Sequence, residues 1–425
     1  MLVFYNYHIM KRVVITGLGA ITPVGNDIKT FWANMLQGIS GAAKITRFDA
    51  SRFKTQFACE IKNYDAFDYF DKKEMRKLDL FSQYGLIAGD EAIRNAGLRF
   101  DQLDTHRIGV IFSTGIGGFE TFEYETLRDF NSGSFHKYNP YFITKVIANG
   151  ISGLISIKHG LRGINSCIVT ACASSTQAII LAYNYIKWNK ADIIITGGSE
   201  APVTASSVGG FNSMRALSIN NDNFKTASRP FDKNRDGFVI GEGAGALVVE
   251  SLESARKRDA YIYAEITGGG ETADAYHITG PHPEGTGAYY AMYEALNEAG
   301  IRAEDINYVN AHATSTGLGD LSEARAMKRL FSGSLEKVSV SATKSITGHL
   351  LGATGAVEAI ATCLSVNTNC IPPTINTNSL DENIPAEIDL TLGKSGYKEI
   401  TYALSNNFGF GGHCASLLMK KFINN

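Results

Sequence analysis

Residues 167–187, CIVTACASSTQAIILAYNYIK, run from a short β-branched segment straight into a helix that is apolar on nearly every side. Residues 337–341 (KVSVS) and 349–365 (HLLGATGAVEAIATCLS) repeat that arrangement in the second half of the chain. A helix with no polar stripe has to be buried all round. Two such helices, each fed by a strand, predict two similar α/β halves that enclose a central helical layer. The expected architecture is a five-layered αβαβα sandwich.

Further β-branched runs fall on both sides of these stretches. In the first half they are 12–16, 107–114, 192–196 and 246–250; in the second, 262–267, 306–310, 400–405 and 414–419. Helical patterns such as 77–96 and 287–299 lie between them, and strands alternating with helices argue for α/β layers. The charged, non-periodic stretch at 254–262 sets the division into halves, 10–256 and 257–425. A strand pattern opens directly after Met10, so residues 1–9 read as an N-terminal extension and Met10 as an alternative start. The chain has 425 residues and is 44% hydrophobic, enough for a sizeable core. Its net charge of −2 lacks the basic excess of a nucleic-acid binder. No apolar run reaches the ~18 residues that span a membrane, and the start lacks the pattern of a secretory signal. Six cysteines without a CxxC pair fit a reducing cytoplasm.

Three glycine-rich or acidic segments imitate binding motifs and fail on spacing. Gly17-Leu18-Gly19 follows a strand, but Thr22 stands where a dinucleotide fingerprint needs its third glycine. Lys394-Ser395 lacks the first glycine of a phosphate loop, because position 388 is Ile. Asp232, Asn234, Asp236 and Gly237 begin like a calcium loop, but Glu242 comes one place early for its bidentate ligand. That segment reads as a rigid charged turn.

Other residues carry chemistry. Cys172 falls where a strand ends and a helix begins. Free N–H groups and the positive helix end there favour a thiolate. The competing reading is an inert buried cysteine. His312 follows a strand, and His349 opens the second apolar helix. A neutral imidazole in such a place donates well to a developing anion; the competing reading for each is structural. Glu358 lies among Ala, Val and Ile in mid-helix and needs a buried partner, for which Lys344 is the candidate. In Phe408-Gly409-Phe410-Gly411-Gly412 the glycines let backbone approach a substrate and let a bulky side chain swing.

Together TACASS (170–175), HATSTGLGD (312–320), KSITGHLLGATGAVE (344–358) and NFGFGG (407–412) resemble the β-ketoacyl-acyl-carrier-protein synthases, most closely the elongating synthase II group. VVITGLGAITPVGN (13–26), ASRPFDKNRDGFVIGEGAG (227–245) and ADAYHITGP (273–281) extend the likeness over residues 10–421. The resemblance implies a thiolase-like fold, a homodimer, an acyl carrier protein as partner, no resident cofactor, and substrates borne on phosphopantetheine. It implies that Cys172 accepts the acyl chain, that His312 and His349 complete the catalytic set, and that Lys344 and Glu358 support it as a charged pair. Phe410 would be a gate whose N–H joins that of Cys172 in an oxyanion hole. Thr314 and Thr316 would hold the phosphopantetheine arm, with Ile116 and Phe408 on the substrate pocket. Arg76, Lys77, Arg128 and Arg215 would dock the acidic carrier. Relatives also hold a sodium or potassium ion near the equivalents of Asn310, Glu358, Ser405 and Asn406. Ala313, Gly317, His413 and Cys414 depart from the family pattern and bear on loop geometry and chain length. The expected reaction is decarboxylative condensation of a malonyl thioester with a Cys-bound acyl chain in fatty-acid elongation. A ketosynthase of a specialised polyketide or aryl polyene pathway is the alternative. A hydrolase built on Cys172, His312 and Asn406 or Asn407, and a catalytically silent subunit, are the remaining rivals.

Overall fold

The computed structural model describes residues 10–133 and 138–424, so the extension read at 1–9 lies outside the described residues. Eleven strands among them form one mixed sheet: β1 (Val13–Ile21), β2 (Ile108–Ser113), β3 (Asn165–Ile168), β4 (Ile193–Glu200), β5 (Gly243–Ser251), β6 (Ala264–Ala273), β7 (Tyr308–Asn310), β8 (Ser339–Ser341), β9 (Asp389–Leu390), β10 (Tyr402–Gly409) and β11 (His413–Lys420). Every β-branched run of the sequence lies in or overlaps one of the first eight strands or the last two. The short edge strand β9 has no such signal.

The repeat is present at the level of strand order. The first half runs β1-β5-β4-β2-β3 across the sheet and the second β6-β11-β10-β7-β8, the same permutation of five strands. Pairing directions match as well. In each half the first three strands in that order pair antiparallel and the last three pair parallel. The halves join where β1 meets β6 over three residue pairs, Val13 with Ile266 to Ile15 with Ala264.

Seven helices matter to the site: α1 (Leu80–Asn95), α2 (Phe119–Ser132), α3 (Phe142–Val146), α4 (Ser174–Lys187), α5 (Thr286–Ala299), α6 (Gly317–Leu330) and α7 (Thr354–Thr368). The two apolar helices, α4 and α7, pack on each other and on strands of both halves. In α7 every residue from Thr354 to Val366 is buried. Helix α1 covers the outer face of the first half, and α5 and α6 that of the second. These are the five layers expected from burial of two apolar helices. Gly17 and Gly19, the failed nucleotide turn, face α1 instead. A Cβ on them would meet the carbonyl oxygens of Ala92 and Ala88 at 2.4 and 2.0 Å, so they let strand and helix approach closely.

Each central helix begins later than its sequence pattern suggests. A 3-10 turn precedes it, Ala171–Ala173 before α4 and Leu351–Ala353 before α7. The first residue of each turn has a left-handed backbone, φ 51° at Ala171 and 46° at Leu351. Neither is glycine, and such strain persists only where the surroundings over-determine it.

Candidate active site

The two turns and the loops after β7 and β10 surround a cavity of about 670 Å3. Cys172, His312, His349, Thr314, Thr316, Ile116, Phe408, Phe410 and Arg215 all line it. Residues far apart in sequence therefore meet because the two strand-turn-helix units face each other.

Cys172 is the middle residue of its turn and buried. Its Sγ lies 2.9 Å from Nε2 of His349. Burial pushes the thiol up to about 12; Lys344 and the backbone N–H groups of Phe410 and of Cys172 itself pull the other way. This corrects the expectation of a thiolate favoured by a helix end. The helix starts two residues later, and desolvation outweighs the N–H groups. The resting group is a thiol that hydrogen-bonds His349, and the same contact with roles exchanged holds the thiolate.

His349 also departs from its expected place. It follows the short helix Lys344–Thr347 and precedes α7 by five residues, so it is not at a helix N-terminus. Its backbone is held instead by strand-like bonds to residues 239–241, His349 N–H to Val239 O at 2.8 Å and Gly241 N–H to His349 O at 2.9 Å. Phe238 packs edge-on to its ring. His312 stands 5.4 Å from His349, ring centre to ring centre. Burial first, then Lys344, drives both imidazoles well below their ordinary pKa. Both are neutral at pH 7. Nδ1 of His312 lies 3.4 Å from the Asn407 amide nitrogen, which leaves Nε2 to carry the proton toward the cavity.

Behind the histidines, Lys344 Nζ meets Glu358 Oε1 at 2.6 Å, with both side chains almost wholly buried. Asn407 and Thr343 donate to the same carboxylate. Burial raises the Glu358 pKa, and Lys344 opposes it. The buried partnership expected from the mid-helix carboxylate is there. Because Cys172 bonds His349 and Asn407 contacts His312, the hydrolase-like set of Cys172, His312 and an asparagine is not assembled as a triad.

Of the residues proposed around a cation, Asn310 bonds Thr343 and the Glu358 carbonyl. Ser405 Oγ is a buried oxygen without a partner among the described residues. Strand alternation turns Asn406 to the opposite face from Ser405 and Asn407. Its amide donates to Glu323 and accepts from Ser416. Asn406 turns its side chain away from the other three, while Asn310 pairs with Ser405 across β7 and β10 and Thr343 Oγ1 lies 3.2 Å from both Asn310 Oδ1 and Glu358 Oε1.

Three carboxylates that the sequence reading passed over hold the site's loops. Glu323 on α6 accepts the N–H groups of His312 and Ala313 at 2.9 and 2.8 Å, and burial pushes it up to about 7. Asp320 accepts the N–H groups of Ser315, Thr316 and Phe231. Glu200 accepts those of Gly115, Ile116 and Gly352. Asp320 and Glu323 are three apart on the first turns of a helix, a spacing that puts both on one face under the HATST loop. That was the available signal. The false calcium turn also serves this loop: Asp232 accepts backbone N–H groups of Asn234, Asn378 and Ser379. Arg235 donates to the carbonyls of Thr316 and Gly317 and to Asp381.

The four basic residues expected to meet a partner are all on the surface, but they do not all line the cavity. Arg215 is at the mouth. Arg76 and Lys77 lie beside residues 139–141, the Arg76 carbonyl accepting from Asn139 and Lys77 standing over the Tyr141 ring. Arg128 is on α2, 3.9 Å from Glu125.

Residues 10–255 match the model of the beta-ketoacyl synthase N-terminal domain and residues 263–378 that of the C-terminal domain. A 3-oxoacyl-[acyl-carrier-protein] synthase 2 of Staphylococcus aureus (strain COL) is 48% identical over 97% of this chain and 99% of its own. A protein of the same name from Synechocystis is 44% identical over 97% and 98%. Among solved structures, a beta-ketoacyl synthase from Burkholderia phymatum superposes with a TM-score of 0.90 at 33% identity, covering 97% of this chain and all of the other. A type II polyketide ketosynthase, solved with its acyl-carrier protein and a hexaketide, gives 0.90 at 31% with the same coverage. With both domains matched in order and curated relatives matched along almost their whole length, the chain belongs to the beta-ketoacyl synthase family.

Proposed function

We propose that this chain is an elongating 3-oxoacyl-acyl-carrier-protein synthase of fatty-acid synthesis. The observation that carries the reading is one buried thiol and two neutral imidazoles on a single cavity, with two backbone N–H groups aimed at the thiol sulfur. Cys172 passes its proton to His349 Nε2 and attacks the acyl thioester. The C–S bond to the carrier breaks, the carrier thiolate leaves and takes a proton from water, the acyl chain stays on Sγ, and His349 keeps the proton on Nε2. A malonyl thioester then enters. Its carboxylate departs as CO2, and the electrons of the broken C–C bond form an enolate. The N–H groups of His312 and His349 stabilise that enolate oxygen. The carbon attacks acyl-Cys172, the Cys172 and Phe410 N–H groups hold the tetrahedral oxyanion, and the thiolate departs as the β-ketoacyl product forms. Thr314 and Thr316 guide the pantetheine arm, Ile116 and Phe408 bound the acyl chain, and Lys344 with Glu358 fixes the field around the histidines.

The partner is an acyl carrier protein, acidic and met by Arg215 at the mouth and by Arg76, Lys77 and Arg128 farther out. The enzyme works as a homodimer through the face that carries α2, α3 and the open edge of β3. No described helix is long and apolar enough to cross a membrane. This reading sets the enzyme in the cytoplasm, where its six thiols stay reduced.

The departures from the family pattern leave this reading in place. Gly317 is the first residue of α6. A proline there would add only a preset φ, because its missing N–H is unused at that position. Ala313 is buried and its N–H is held by Glu323. The test is mass spectrometry of products from acyl-carrier and malonyl-carrier with purified enzyme. Extension by two carbons is expected, and a polyketide or polyene product would favour the specialised pathway. Cys172→Ala should abolish acyl transfer and extension but keep part of malonyl decarboxylation. Covalent acyl transfer to that variant would contradict the assignment.

A further inference from the structure

Glu200, the last residue of β4, is 1% exposed, yet its carboxylate pairs with no cation at ion-pair distance among the described residues. Its partners are a hydroxyl and three backbone N–H groups. Oε1 accepts from Thr114 Oγ1 at 2.8 Å and from Ile116 N–H at 3.1 Å. Oε2 accepts from Gly115 N–H and from Gly352 N–H, the latter at 3.0 Å. One carboxylate thus ties the loop after β2 to the turn before α7. Each tied segment presents an apolar side chain to the cavity, Ile116 from one and Leu351 from the other. The space is closely fitted. A Cβ on Gly352 would meet Glu200 Oε2 at 2.5 Å and Gly115 N at 2.1 Å. Leu351 holds its left-handed φ of 46° directly beside this bond. Burial raises the Glu200 pKa, and its four donors, which favour the ionised, acceptor-only form, pull it back.

We propose that Glu200 is a positioning residue that sets acyl chain-length selection by fixing Ile116 against Leu351. The inference rests on the condensing-enzyme reading given above. Its chemistry is that of an acceptor-only group facing four donors, a demand that an amide of the same size cannot meet. In Glu200→Gln one side-chain atom becomes a donor. If that NH2 faces Gly115 and Gly352, the bridge between the segments is lost. If it faces Thr114 and Ile116, the hydroxyl can turn to accept, but Ile116 N–H has no acceptor. The second arrangement strands fewer groups, so the variant should loosen the Ile116 wall in particular.

The experiment is acyl transfer to Cys172 from butyryl-carrier and myristoyl-carrier, with kcat and KM separated, alongside decarboxylation of malonyl-carrier. In Glu200→Gln the ratio of kcat/KM for the two acyl groups should shift about tenfold, the scale of one unsatisfied buried donor. Decarboxylation, which does not use the wall, should stay within about twofold. Thr114→Val removes one donor from the same carboxylate. It should move the ratio in the same direction by less, and it carries the test if the first variant does not fold. An unchanged ratio in a folded variant overturns the proposal. So does an equal fall in both acyl transfers and decarboxylation, which would make Glu200 a support of the whole site. If the wild-type enzyme loads neither acyl group, the condensing-enzyme reading fails, and this proposal falls with it.

Discussion

Cys172 is a buried thiol in a family whose chemistry needs a nucleophile, and its reactivity depends on a proton acceptor within reach. With burial pushing it up to about 12, little thiolate exists at neutral pH in the free enzyme. Alkylation by iodoacetamide should therefore keep rising through pH ~10, without levelling near the ~8.5 of an ordinary thiol. A plateau below pH ~8 would show that Lys344 and the N–H groups outweigh burial. His349→Ala should slow alkylation at pH 7 further, because it removes the acceptor at 2.9 Å. The Lys344–Glu358 pair makes a separate demand on stability. Glu358→Ala leaves an ammonium buried without its carboxylate, at a cost of ~3–5 kcal/mol, which a urea or thermal midpoint would register. Lys344→Met combined with Glu358→Leu should recover part of that loss while activity stays low. An unchanged midpoint in Glu358→Ala would mean that water reaches the pair.

At the scale of elements, the sequence carried the strands, the two apolar helices and the motif residues. Their signals are local: β-branched runs, an absent polar stripe, and fixed spacings around Cys172, His312 and His349. It did not carry the 3-10 turns before α4 and α7, because an apolar helix pattern reads through a tightened first turn. The thiol departs from the expected thiolate for the same reason, since two residues of offset remove Cys172 from the helix end. Glu323 has only a weak local signal, its spacing from Asp320, for a different reason. Glu323 lies in LSEARAMKRL (321–330), where charges recur all round the helix. Only tertiary contact with the loop after β7 buries one of them. The strap from Gly409 to Gly412 shows what a local signal does deliver. Gly411 and Gly412 have φ of 87° and 78° and follow Phe410, which lines the cavity. Gly411 N–H is fixed to Ile278 O at 2.7 Å. A side chain on such a strap can swing without moving β10 or β11. Phe410→Ala should disturb acyl loading and the order in which the two substrates are used, more than it lowers the melting midpoint. A loading rate and product-length profile equal to wild type would reduce Phe410 to a packing residue.

The whole molecule ends abruptly on one side. Across the sheet, β3 (Asn165–Ile168) is the last strand, and its outer edge has no strand beside it among the described residues. Open edges with apolar surroundings invite pairing. Next to it Val169 is 52% exposed, α2 and α3 add Phe122, Phe130 and Ile143, and Ile147 follows α3, with Phe130 at 82% and Ile143 at 64%. A monomer rarely leaves so many large apolar side chains together in water. A two-fold axis at β3 would pair the strand with its copy and cover the α2 and α3 side chains in one isologous contact. The same region reaches the cavity, since Ile116 is three residues before α2 and lines it. The proposed dimer is therefore expected to matter for substrate as well as for stability. Phe130→Glu with Ile143→Glu should yield a smaller species in sedimentation velocity, and acyl transfer should fall with the dimer fraction. Dimers that persist at nanomolar concentration in the double variant would place the contact elsewhere. A fully monomeric variant with wild-type transfer would separate assembly from the site.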